Sequence, residues 1–202
     1  MKKSIVLVLL FSSFFGYTQN YKFNTLTKYN CIGKFPRESV VYSNTENLNY
    51  FLYLKKENDK TIANLFDLEK KKYHTFKVVE SKDTLNQVFF QFIYLSSKKY
   101  IENRTTKKNA FKFETKKNDS LFRIVKMSRV NKSGKVLGVS ELKIKNYPYN
   151  LFPIFRFSCL HPYELASDIN INETGIVESF KKANIYFYLD YFKKVNFELN
   201  IL

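Results

Sequence analysis

LFRIVKMSRV-NKSGK-VLGVSELKIK, from Leu121 to Lys145, reads as two strands and the turn that joins them. Leu142 and Ile144 alternate with Lys143 and Lys145, the period of two that sends one face into a core and the other into water. The five residues Asn131-Lys132-Ser133-Gly134-Lys135 separate Leu121–Val130 from Val136–Lys145. A polar loop of that length containing glycine is where antiparallel strands reverse.

The same pattern extends in both directions. Phe111, Phe113 and Thr115 alternate with Lys112, Glu114 and Lys116. Asn49–Lys55, Thr61–Leu68 and Tyr73–Val79 make a second meander, turning at Glu57-Asn58-Asp59-Lys60 and Glu69-Lys70-Lys71-Lys72. Val88–Leu95 is apolar on both faces except at Gln91, which predicts a central strand buried on both sides. Gly175–Phe180, Ile185–Phe192 and Val195–Ile201 predict three further strands, with Lys181-Lys182 and Lys193-Lys194 near the turns. Ile62, Leu65 and Phe66 also suit helical spacing, but β-branched and aromatic content and closely spaced turns favour strands. Asn146–Pro162 holds three of the four prolines and predicts a long connection packed over the sheet, with one or two short helices, one of them near Tyr163–Ile169. The expected fold is mainly β: an antiparallel meander forming a curved open sheet or a barrel.

The N-terminus carries an address. Met1-Lys2-Lys3 is a short positive region, Ile5–Phe15 is apolar apart from Ser12 and Ser13, and Gly16-Tyr17-Thr18 offers small residues before Gln19. That architecture predicts a signal peptide over 1–18, helical as it enters the export channel, and one β-rich domain over 19–202. The apolar run is too short to span a bilayer, which takes about 20 residues. No later stretch reaches that length without charges, so no stable transmembrane helix is expected after leader removal. The expected location is the periplasm, the outer envelope surface or the exterior.

The chain of 202 residues has 34 Lys plus Arg against 18 Asp plus Glu, a formal charge of +16. Losing Lys2 and Lys3 with the leader lowers this to about +14. Only Arg37, Arg104, Arg123, Arg129 and Arg156 are arginines, and bidentate reading of phosphates and bases favours Arg, so the composition argues against nucleic acid as partner. A lipid or a polyanionic envelope component fits better. With 45% hydrophobic and 18% aromatic residues the chain is not disordered.

Cys31 and Cys159 are the two cysteines, and an even count in an exported chain predicts a disulfide. Cys159-Leu160-His161-Pro162-Tyr163-Glu164, with Asp168 beyond, gathers thiol, imidazole and carboxyl groups, but its spacing is loose for a Cys–His nucleophile and no zinc spacing is present. There is no phosphate-binding glycine loop, GxSxG, HExxH or CxxC, so no cofactor or metal is expected. The expectation is a protein that binds or scaffolds, with Phe90, Phe92, Phe111 and Phe113 lining a core or a concave cavity for an apolar or anionic amphipathic ligand. An envelope-polymer hydrolase and a small outer-membrane barrel are the alternatives.

Overall fold

The computed structural model describes residues 19–33, 36–57, 59–82, 84, 88–100, 109–160 and 169–201. The expected signal helix over 1–18 lies outside them, as do His161, Asp168 and all of the expected Tyr163–Ile169 helix except Ile169. Eleven strands form one antiparallel sheet: β1 (Gln19–Gly33), β2 (Arg37–Ser43), β3 (Tyr50–Glu57), β4 (Lys60–Asp67), β5 (Lys72–Lys82), β6 (Val88–Lys99), β7 (Asn109–Asn118), β8 (Phe122–Asn131), β9 (Val136–Lys145), β10 (Ile176–Lys182) and β11 (Ile185–Ile201). Among the described residues one helix, α1 (Phe152–Cys159), sits in the proline-rich connection.

Two meanders grow outward from a seam where the first and last strands pair, giving the order β6-β5-β4-β3-β2-β1-β11-β10-β9-β8-β7. Strand direction alternates from that seam, so β6 and β7 run the same way. Closing a barrel would need a parallel β6–β7 pair; these two strands do not pair, and the sheet stays open. Nor is it flat. Ten strand spacings of about 4.8 Å would hold the edges ~48 Å apart. The stretch from Lys99 to Asn109 reaches at most about 36 Å, so the sheet must curl.

Bulges assist that curvature. The β1–β11 pairing shifts register between Phe23 and Thr25 and again between Lys28 and Tyr29, and bulges bend a strand and tighten its twist. The Lys193-Lys194 pair, expected near a turn, lies instead within the 17-residue β11, at the first of these shifts. Pairing with β1 on both sides of the irregularity keeps the strand whole.

The two halves of the sheet bury opposite faces. Tyr21, Phe23, Leu199 and Ile201, from the far end of the seam, pack with Leu52, Ala63, Leu65, Phe76 and Val78 of β3–β5. Tyr29, Val125, Met127, Leu142, Val177, Phe180 and Phe187 pack under Phe152, Phe155 and Cys159 of α1. Leu151 and Ile154 reach across to Val41 and Phe51. Phe51 and Leu52 are thus both buried, in different cores, so this stretch of β3 is covered on both sides, as β1 is at Thr25–Thr27.

The helix falls at Phe152–Cys159 because Pro153 occupies its first turn, where a missing N–H costs nothing. Asn150 Oδ1 accepts from Phe152 N–H at 3.1 Å. At the other end, Ser39 Oγ donates to Ser158 O at 2.8 Å and Arg37 Nη2 to Cys159 O at 2.6 Å. These β2 side chains satisfy carbonyls that the end of a helix leaves unpaired. The 131–135 turn forms as expected: Asn131 N–H donates to Lys135 O, Gly134 N–H to Asn131 O, and Gly134 has φ +83°.

Candidate functional site

The four phenylalanines do not line one space. Phe90 is exposed on β6, whereas Phe92 is half-buried, 5.2 Å from the Phe197 ring. Phe111 and Phe113 are half-buried on β7 at the opposite edge, against the core beneath α1, with Phe113 6.0 Å from Phe152. Phe92 packs against one core and the β7 pair against another.

The most unusual surface is β6 itself. Val88–Leu95 reads as a central strand, yet among the described residues β6 stands at an edge with one neighbour, β5. Phe89, Phe90, Ile93, Tyr94 and Leu95 are 52, 46, 41, 48 and 53% exposed. Pairing with β5 puts Phe89 and Ile93 on one face and Phe90 and Tyr94 on the other, while Leu95 sits at a register shift between Thr75 and Phe76. The side-chain pattern is right for two-sided burial; what is missing is a neighbour. The sequence could not report this, because alternation records which faces are apolar and not whether a second strand lies alongside.

The opposite edge is protected. β7 carries exposed Lys112, Lys116 and Lys117, the last two paired with Glu114 at 2.5 Å and Asp119 at 3.4 Å. Charged edges of this kind prevent strands from docking. Lysines at the β6 edge only frame the apolar run. Lys72, Lys77 and Lys82 on β5 and Lys98 and Lys99 on β6 are exposed, with Glu80 the single carboxylate on these two strands. None of the five makes an ion pair among the described residues.

Cys31 and Cys159 are unbonded thiols, which corrects the disulfide expected from their even number. They share one core, but Cys31 Sγ lies 3.8 Å from the Ile32 carbonyl oxygen of its own strand, while Cys159 is held in the last turn of α1. Burial pushes both thiols up, partly opposed by the Arg37 guanidinium. Reactivity follows the thiolate. An aromatic disulfide reagent should therefore react with the folded protein roughly 100-fold more slowly than with a small thiol, and should find two thiols once denaturant is added. Rapid reaction of either thiol in the native protein would contradict this burial.

Sequence reasoning missed a buried polar cluster at one end of β4 and β5. Tyr21 Oη donates to Asp67 Oδ2 at 2.7 Å, and Asp67 Oδ1 accepts from Lys70 N–H at 2.8 Å. Burial and the Asp67 carboxylate push the Tyr21 phenol up. Beside it His74 is buried between the Tyr21 and Tyr94 rings, and neither of its ring nitrogens has a hydrogen-bond partner. The one available signal was an imidazole on the apolar face of a strand, next to a turn rich in lysine. Among the described residues no three His, Cys, Asp or Glu side chains gather as a metal site, and no helix is long and apolar enough to cross a membrane.

His74 makes the cluster pH-sensitive. Burial lowers its pKa, with Lys72 and Lys70 acting in the same direction and Asp67 against them. The folded state therefore favours neutral imidazole. This contribution to stability is complete above the ordinary value of 6.5 and is lost as pH falls through that value towards the lowered folded one. Urea unfolding at about pH 7.5 and about pH 5.5 should show wild-type stability falling with acid, and His74→Phe should flatten the fall. An equal fall in both proteins would remove His74 as its source.

No family model, curated protein or solved structure is significantly similar to this chain.

Proposed function

We propose that the protein is exported and acts by binding, holding an amphipathic, anionic ligand or partner of the cell envelope at the open β6 edge of its sheet. The observation that carries this reading is the group of five exposed apolar residues on one unprotected edge strand, framed by unpaired lysines. Monomeric soluble proteins seldom leave such a surface without a use. A cavity lined by Phe90, Phe92, Phe111 and Phe113 has less support, since Phe90 is exposed and the other three divide between two cores. Export rests on Lys2, Lys3 and the apolar Ile5–Phe15 run. Binding is favoured over hydrolysis because the ion-paired carboxylates, such as Glu114, Glu178 and Glu198, are half-exposed or exposed and held by lysines, whereas Asp67 is buried against Tyr21.

A photo-crosslinking phenylalanine analogue at position 89 tests the reading in the native cells, with the same analogue at position 112 on β7 as control. An adduct at 89 and none at 112 is the expected result. No adduct at 89, or equal adducts at both, would overturn the edge as the binding surface. N-terminal sequencing of the exported protein should start at or within a residue or two of Gln19, and an intact Met1 would remove the export part of the proposal.

A further inference from the structure

The geometry points to β-strand addition: we infer that the β6 edge takes up an extended, acidic, apolar-alternating segment of a partner protein as the next strand of the sheet. This rests on the binding role proposed above and names the chemistry of the occupant.

Three observations converge. First, β6 is apolar on both faces over Phe89–Leu95, lacks over that span the lysines that shield β7, and has no second strand beside it among the described residues, so that side of its backbone is open to pairing. A strand laid against it would cover Phe89 and Ile93 on one face and Phe90 and Tyr94 on the other. Second, the surroundings have one sign of charge. Lys77 pairs across from Ile93, Lys72 lies opposite Lys99, and Lys82 lies opposite Val88, so ammonium groups stand at both ends and beside the middle of the docking groove. An added strand with a period of two keeps its carboxylates on one face; set on the Phe89–Ile93 side they would fall beside Lys77 and Lys98, while its apolar side chains cover Phe90 and Tyr94.

Third, the same charges disfavour a second copy of this chain. Antiparallel self-pairing centred on Phe92 would carry Lys98 and Lys99 of each copy to the end of the other where Lys82 stands. Parallel self-pairing would set Lys98 and Lys99 beside their own counterparts. Either arrangement also brings together two chains of formal charge +16, and like charges across an interface are unfavourable. An acidic strand neutralises the groups that a second copy would crowd.

The probe is an end-blocked twelve-residue peptide alternating Val and Glu, titrated into the mature protein by fluorescence anisotropy. A Val/Lys peptide serves as charge control, and sedimentation of the protein alone reports its oligomeric state. The Val/Glu peptide should bind at least tenfold more tightly than Val/Lys, and should weaken as salt screens the exposed lysines. Phe89→Ser with Ile93→Ser, which removes the apolar edge without changing its charge, should weaken it a further tenfold or more while circular dichroism and Tm stay at wild-type values, since both side chains are already exposed. Should the double variant lose its fold, Leu95→Ser, at the most exposed of the five positions, serves in its place. No binding of Val/Glu, equal binding of Val/Lys, or unchanged affinity in the edge variant would overturn the inference. So would a wild-type dimer that the edge variant dissolves, which would make the second copy the occupant. A crosslink at position 89 combined with failure of the peptide leaves the binding role standing and removes only the acidic strand.

Discussion

Replacing Phe155 with alanine is expected to cost about 3–5 kcal/mol of folding stability, the range for truncating a large buried aromatic. Phe155 is fully buried and is the side chain that α1 drives into the sheet. Its ring centroid lies 5.4 Å from Tyr29, 5.4 Å from Phe180, 6.2 Å from Phe152 and 6.3 Å from Phe187. These neighbours stand on β1, β10, α1 and β11, so the cavity left by truncation would lie where the seam, β10 and the helix meet. The surrounding strands are held by ladder hydrogen bonds and can collapse into it only in part. Against a typical total of about 5–15 kcal/mol, the loss should bring the unfolding midpoint in urea down steeply with little change in slope. Phe155→Leu, which keeps much of the volume, should recover more than half of it. A cost of about 1 kcal/mol or less for Phe155→Ala would mean that the helix is not seated as described.

The second large effect is expected at a glycine. Gly33 ends β1 with φ +126°, and a Cβ there would stand 2.0 Å from the Asn184 carbonyl oxygen and 3.1 Å from its carbonyl carbon. Asn184 lies in the tight turn between β10 and β11, beside Ile185, the pairing partner of Gly33. Both obstacles are backbone, so no rotamer change relieves them, and the turn must move or the end of the seam must open. Gly134 is a useful control. It too has positive φ, +83°, but nothing lies within 4 Å of its ideal Cβ. Gly134→Ala should cost only the conformational penalty, about 1–2 kcal/mol, whereas Gly33→Ala should add the clash and cost about 2–4 kcal/mol. Thermal unfolding of the two variants side by side measures the difference. Equal destabilisation would show that the β10–β11 turn yields freely.

The two glycines show how far side-chain pattern carries. Gly134 announced its role, because it stands in a polar loop between two alternating runs and its conformation is decided within five residues. Gly33 did not, because the carbonyl it must clear belongs to a turn some 150 residues further on. The strands from Tyr50 to Lys82 and from Phe122 to Lys145 were legible for the reason that Gly134 was: each pairs with its sequence neighbour, and each carries its own alternation. The helix was not, because a short segment with proline in its first turn has the composition of a connection. The cluster of Tyr21, Asp67 and His74 was not either, since three unremarkable polar residues meet only after β1 is laid across the far meander.

From sequence alone came the strand-rich class, the hairpin turns, the apolar character of Val88–Leu95 and the leader-like N-terminus. These are local: a period of two, a glycine between polar residues, or a run of one composition is set by a few adjacent residues. The pairing of β1 with β11, the open edges, the separation of Phe90 and Phe92 from Phe111 and Phe113, and the unbonded cysteines were decided only by the tertiary structure. The first three depend on which strand lies beside which, and the fourth on how α1 sits over β1; strand neighbours are joined by backbone hydrogen bonds that every residue but proline can make. Side-chain alternation says which way a strand faces, and it leaves open what lies next to it. That is why the same eight residues that read as the centre of a sheet stand at its edge.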